Sequence, residues 1–270
     1  MQCRFIDTGL RNAFENMAID EALLYHCKIP TLRVYGWKPA AISIGYNQDI
    51  KKEINLDYCK KNNISIVRRL TGGKAVFHDK EITYSFILPE NSNLIPFEVN
   101  ESYKVIANAL IIALKKIRIN AEMKKAPEKI KTPICFNSSN WYELLVNGKK
   151  ISGSAQRRLN GKVLQHGPIL IDFDYEKNAS LFNSNNSDII NNLDNLKTRI
   201  TSIKNESKNI KISYGYLAKA IKAGFKENFK LSMVKSSLSS GEIMLANKLL
   251  KEKYSTEDWN YQLISAVCKN

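Results

Sequence analysis

A chain of 270 residues that is 44% apolar and 9% aromatic can bury one large globular core, and 41 Lys and Arg against 26 Asp and Glu leave it at +15. No run reaches the roughly 18–20 apolar residues of a membrane span, and Met1 to Asn12 lacks the apolar stretch of a secretory signal. The five cysteines are scattered without a CxxC pair, which argues against a disulfide framework or a structural zinc site and fits a reducing cytoplasm.

Asn12-Ala-Phe-Glu15 reads as a capping box, opening a helix with Phe14, Met17, Ala18, Ala22 and Tyr25 on one stripe. Two β-rich runs follow, Thr31–Tyr35 and Ala41–Ile44, separated by Gly36-Trp-Lys-Pro39 turn chemistry. Asn55 caps a short helix to about Asn62, and Ile64–Val67 reads as a strand. The segment Arg68-Arg-Leu-Thr-Gly-Gly-Lys-Ala-Val-Phe-His78 leads to a β-type run, Ile82 to Leu88. Asn100 to Arg118 then forms a long helix with Ile106, Ala109, Leu110, Ala113 and Ile117 inward.

Tyr142–Val146 and Lys150–Ser154 flank Asn147-Gly148, a pair suited to the positive φ angles of a type I′ hairpin turn. Asn160-Gly161 repeats that signal before Val163–Leu170. Residues 178–211 are rich in Asn, Ser and Lys and read as a long surface connection or mobile flap. A helix from Tyr214 to Phe229 and another capped by Ser239-Ser-Gly-Glu242, running to about Glu252, close the chain. Hairpin strands bracketed by helices predict an α+β fold with a mixed, largely antiparallel sheet. The expected organisation is a catalytic domain over 1–250, its core at about 30–230, then a short tail at 251–270 and no large accessory domain.

Three segments can carry chemistry. Thr71-Gly72-Gly73 allows close backbone approach and can aim amides at an anionic oxygen, with Arg68 and Arg69 adding charge. It is neither a Walker A motif nor GxGxxG. Lys150-Ile-Ser-Gly-Ser-Ala-Gln156 follows the hairpin turn, and alternation sets Lys150, Ser152 and Ser154 opposite Ile151, Gly153 and Ala155. Cys135 lies in Pro133-Ile-Cys-Phe-Asn-Ser-Ser139, and as a nucleophile it needs a nearby cation such as Lys150. Each segment also has a plainer reading: an ordinary turn, a solvated lysine, a buried thiol. His26, His78 and His166 have no metal-ligand spacing. The charge calls for an acidic partner or reflects a Lys-rich composition, and no motif directs it to nucleic acid or a membrane.

Taken together, Asn16-Met-Ala-Ile-Asp-Glu21, Leu32–Trp37, Ser43–Gln48, Arg68–His78, Lys150–Arg157, Leu164–Ile169, Glu252–Tyr254 and Trp259-Asn260 resemble the lipoate–protein ligase and octanoyltransferase superfamily. Ligases of that group typically read Arg-Arg-x-Ser-Gly-Gly-Gly at the glycine turn. Here Thr71 and Lys74 replace the serine and the third glycine, and this line with Cys135–Leu144 is most similar to the LipM-type octanoyltransferases.

The resemblance implies a biotin/lipoate ligase-type domain in which Cys135 takes an octanoyl group from octanoyl–acyl carrier protein as a thioester. Lys150 would lower the thiol's pKa. A lysine of the glycine cleavage H protein or a lipoyl domain, acidic partners as a class, would then receive the acyl group without cofactor or metal. It also implies substrate-binding roles for Arg69, Thr71, Gly72, Gly73, Ala75, Phe77, His78, Gly153, Ser154, Ala155, His166 and Gly167. Two alternatives stay open: an ATP-dependent lipoate–protein ligase, and a non-catalytic basic binding protein.

Overall fold

The computed structural model describes residues 1–124, 143–183, 186–207 and 212–262, with backbone alone over 186–192. Strand β1 (Gln2–Arg11) leads into α1 (Ala13–His26), β2 (Thr31–Trp37) and β3 (Ala41–Ile44). Short helices α2 (Ile50–Glu53) and α3 (Leu56–Lys61) precede β4 (Ser65–Arg68), β5 (Val76–His78) and β6 (Glu81–Pro89). Helix α4 (Val99–Lys116) is followed by β7 (Glu122–Met123), β8 (Leu144–Val146), β9 (Lys149–Ser152), β10 (Ala155–Leu159) and β11 (Lys162–Leu170). Helices α5 (Tyr175–Ser180), α6 (Asn186–Arg199) and α7 (Ile203–Glu206) lead to α8 (Tyr214–Phe229), β12 (Ser232–Lys235), α9 (Ser240–Leu249) and α10 (Glu257–Tyr261).

Among the described residues the larger sheet runs β12-β1-β2-β6-β11-β9-β8-β7, with β10 also paired to β11, and the smaller runs β4-β3-β5. The pairings β1–β12, β1–β2 and β3–β4 are parallel, while those from β2 through β6 and β11 to β7 are antiparallel. The expected α+β class with a mixed, largely antiparallel sheet is the one observed. Both Asn-Gly turns take the positive φ that their residues permit: 51° and 75° at Asn147-Gly148, 51° and 69° at Asn160-Gly161.

Strand alternation sorts the core. Ile82, Tyr84, Phe86 and Leu88 of β6 face α4 and α8, and Ile87 packs with α1 residues Leu23 and Leu24 on the opposite face. Gly224 permits the α4–α8 crossing, since a Cβ there would stand 2.3 Å from the Ala109 carbonyl oxygen. The α1 capping box forms as read, but the helix is buried on nearly every side and Tyr25, expected inward, is 44% exposed.

Residues 178–211 are not simply a surface connection. They carry helices, and Leu181, Phe182, Leu196, Ile200 and Ile203 are buried. Their apolar residues are few, and Asn and Ser are weak helix formers, which muted the periodicity. The N-terminal strand β1 and the short β12 beside it were likewise not read from sequence. Residues 250–262 pack onto the domain: Tyr254 is fully buried and its hydroxyl donates to Glu21 at 2.6 Å. Among the described residues no helix is long and apolar enough to cross a membrane.

Candidate active site

The glycine turn follows β4. Gly73 has φ of +90°, and a Cβ placed on Gly45 would lie 2.1 Å from the Gly73 carbonyl oxygen, so two chain segments meet there backbone to backbone. Arg69 is the strut of this turn. Its Nη2 donates to the Gly72 and Lys74 carbonyls at 2.8 Å each, Nη1 donates to Ser43, and Nε donates to the Thr71 hydroxyl at 3.1 Å. Arg68, fully buried, donates instead to the carbonyls of Gly45, Tyr46, Gln48, Trp259 and Asn260, fastening the C-terminal segment behind the turn. Lys74 points toward Glu53, at 3.8 Å.

Eight of the twelve expected binding residues line one cleft: Arg69, Gly73, His78, Gly153, Ser154, Ala155, His166 and Gly167. Met17, Tyr35, Trp37, Val76 and Pro168 add apolar surface to the wall, and Ser43 and Thr83 complete it. Thr71 is fully buried behind His166, and Gly72 faces a neighbouring groove with Asn100, Tyr103 and Gln156. Ala75 and Phe77 belong to the core with Ile42, Ile44 and Ile66 rather than to the cleft. Alternation along β5 explains this division, because Val76 and His78 take the cleft side.

Each cleft histidine bridges a carboxylate and a hydroxyl. His166 Nδ1 lies 3.0 Å from Asp20 Oδ2 and its Nε2 lies 2.8 Å from Thr71 Oγ. His78 Nδ1 lies 2.8 Å from Glu81 Oε1, its Nε2 lies 2.7 Å from Ser43 Oγ, and its ring stacks on Trp37 with centroids 3.8 Å apart. Burial opposes ionisation of Asp20, but the Arg33 guanidinium and bonds from His166 and Ser85 outweigh it and hold the carboxyl at about 2. For His166 burial wins over Asp20 and lowers the imidazole below its ordinary value.

Lys150 is not a solvated hairpin lysine. It is 3% exposed and donates to Glu143 Oε1 at 2.6 Å. Strand alternation ends at Ser152, so Gly153, Ser154 and Ala155 all reach the cleft wall. A Cβ on Gly153 would meet Lys150 Cε at 2.8 Å and Nζ at 3.0 Å, so the ammonium lies directly against the cleft's glycine. Strand β11 crosses just as closely, since a Cβ on Gly167 would stand 2.1 Å from the Gly153 carbonyl oxygen. Cys135 lies outside the described residues. Asp20, Ser43, Glu81 and Glu143, which complete these contacts, were not singled out from sequence. The available signal was a charge inside or beside an apolar run, as in Met17–Leu24 and Glu81–Leu88.

The structural comparison first gives the class, the catalytic-domain fold of lipoate–protein ligases. A lipoate-protein ligase A bound with ATP superposes with a TM-score of 0.82 at 24% identity, covering 98% of this chain and 100% of that one. A bipartite lipoate protein ligase of Thermoplasma acidophilum gives 0.82, covering 97% and 96%. The lipoyl protein ligase A/B catalytic domain model matches residues 12–226, and the chain belongs to that family. Within it, the octanoyltransferase LipM of Bacillus subtilis is 39% identical and that of Staphylococcus aureus 36%, each match covering 96% of this chain and 98% of the relative.

Proposed function

We propose that this protein is an octanoyltransferase of lipoate biosynthesis that moves an octanoyl group from octanoyl–acyl carrier protein to a lysine of a lipoyl-accepting protein through a thioester on Cys135. The near full-length similarity to octanoyltransferases supports the reaction. The observation that carries the reading is the cleft wall. Two hydroxyl-bonded histidines line its polar side, the buried Lys150 ammonium lies against Gly153 of the wall, and Met17, Trp37, Val76 and Pro168 offer apolar surface to a hydrocarbon tail. Fully burying a CH₂ is worth about 0.8 kcal/mol, so such a wall selects an acyl chain by contact area.

The chemistry runs in two steps. The Cys135 thiolate attacks the donor thioester carbonyl, its new C–S bond replaces the carrier's, and the carrier leaves as its thiolate. The acceptor amine then attacks the enzyme thioester; C–N forms, C–S breaks, and the amine proton returns to sulfur. Thioester exchange is nearly balanced and amide formation is downhill, so no nucleotide is consumed, and covalent catalysis divides one encounter between macromolecules into two. Lys150 favours the thiolate and polarises the carbonyl. The +15 charge draws both acidic partners to the cytoplasmic enzyme.

The test is intact-protein mass after mixing with octanoyl–acyl carrier protein. An octanoyl adduct on Cys135 that hydroxylamine removes is expected. Wild-type transfer by Cys135→Ala would sink the proposal.

A further inference from the structure

Asp20 and Glu81 are buried acidic residues outside the cleft lining, and the chemistry above leaves them without a task. Their contacts follow one pattern, legible from which groups can only donate. Arg69 has no acceptor. It gives N–H bonds to Thr71 Oγ and to Ser43 Oγ, both at 3.1 Å, so each hydroxyl accepts there and still has its own proton to place. The partners at hand are His166 Nε2 for Thr71 and His78 Nε2 for Ser43. Those nitrogens accept only when the ring proton sits on Nδ1.

The other ends of the chains require the same arrangement. Trp37 Nε1 can only donate; it donates to Thr83 Oγ at 2.9 Å, and Thr83 passes its own proton to Glu81 Oε1 at 2.6 Å. That oxygen is therefore an acceptor where it meets His78 Nδ1. Asp20 Oδ2 likewise accepts from the hydroxyls of Tyr35 at 2.9 Å and Ser85 at 2.6 Å, and faces His166 Nδ1 as a carboxylate. Two chains of carboxylate, histidine and hydroxyl thus converge on a single guanidinium. Its remaining fork holds the carbonyls of the glycine turn.

We infer that Asp20 and Glu81 are positioning residues for acyl transfer: each fixes a cleft histidine as the Nδ1–H tautomer, which orients the Thr71 and Ser43 hydroxyls that hold Arg69 and, through it, the glycine turn. The turnover part of this inference rests on the proposed function, while the tautomers do not. The acceptor is what matters. Gln at 81 keeps a carbonyl oxygen for Thr83 and for His78 Nδ1–H, since its –NH₂ can take the place of Glu81 Oε2, which has no partner. Glu81→Ala removes the acceptor and frees the ring to carry its proton on Nε2.

The experiment is long-range proton–nitrogen correlation on histidine-labelled protein at neutral pH, with exposed His26 as internal reference. Wild-type His166 and His78 are expected as neutral Nδ1–H tautomers. Glu81→Ala should let His78 take the Nε2–H form and Asp20→Ala should do the same for His166, with kcat falling about 10–100-fold, the scale of a misplaced catalytic group, and KM little changed. Glu81→Gln, which keeps a carbonyl oxygen at that place, should retain the Nδ1–H form and most of the turnover. Asp20 also neutralises buried Arg33, 2.6 Å away, so Asp20→Ala is read only if its melting curve shows a folded protein. Glu81→Ala against Glu81→Gln, with the wild-type spectrum, carries the test regardless. Nε2–H or doubly protonated rings in the wild type, or a flipped ring with unchanged kcat, would overturn the inference. Absence of any octanoyl transfer by the wild type would refute the proposed function and this residue role together, with the spectra still deciding the tautomers.

Discussion

The ammonium of Lys150 and the carboxylate of Glu143 meet at 2.6 Å with both side chains about 95% buried, against the glycine that walls the cleft. Removing one member of a buried pair strands the other's charge, at roughly 3–5 kcal/mol, whereas removing both is often close to neutral. Lys150→Met alone should therefore lower stability by about that amount. The Lys150→Met, Glu143→Gln double variant should recover most of it in urea unfolding. Octanoyl transfer should stay lost in both, because the ammonium is absent from each. A double variant that regains activity would make Lys150 a structural ion-pair member only.

The thiols give a second prediction. Burial pushes Cys3 and Cys27 up to about 12 and Cys59 up to about 11, outweighing Arg4 at Cys3 and Lys162 and Arg4 at Cys27. Brief iodoacetamide treatment at neutral pH, followed by peptide mapping, should leave these three unlabelled and place the fastest label on Cys135. Fast labelling of Cys3, Cys27 or Cys59 would contradict the reading of the site.

Acid stability follows from the Asp20–His166 pair. His166 is lowered in the fold relative to about 6.5 in the unfolded chain, so on acidification the unfolded state takes up this proton first. Stability should therefore decline as pH falls below about 6.5. Asp20 is held at about 2 against an unfolded value near 3.9, so its contribution is complete above about pH 4 and lost between 4 and 2. Urea midpoints measured against pH should show the upper limb in the wild type and its loss in His166→Gln. A flat wild-type profile from pH 7 to 5 would contradict this.

Much of the framework was legible because it is written locally. Capping boxes at Asn12 and Ser239 and two Asn-Gly turns specify their elements within a few residues, and all four form as read. Strand β1 lacked that signal, since its burial alternates irregularly along Gln2–Arg11 and its partners β2 and β12 are parallel and distant in sequence. The cleft was legible where glycine marks a close approach, as at Gly73, Gly153 and Gly167. Spacing alone did not separate the two surfaces of one strand: Ala75 and Phe77 adjoin cleft residues in sequence but pack in the core. The carboxylates Asp20, Glu81 and Glu143 find their partners through tertiary contact, which no spacing rule announces.

The central claim is acyl transfer from a carrier thioester without nucleotide, and one paired assay tests it. The same lipoyl-accepting protein is incubated with this enzyme and either octanoyl–acyl carrier protein alone or free lipoate with ATP, and its intact mass is read in both. The account predicts octanoylation of the acceptor lysine in the first mixture and no modification in the second. Modification only in the mixture containing ATP and free acid would contradict it and make the protein a ligase on the same fold.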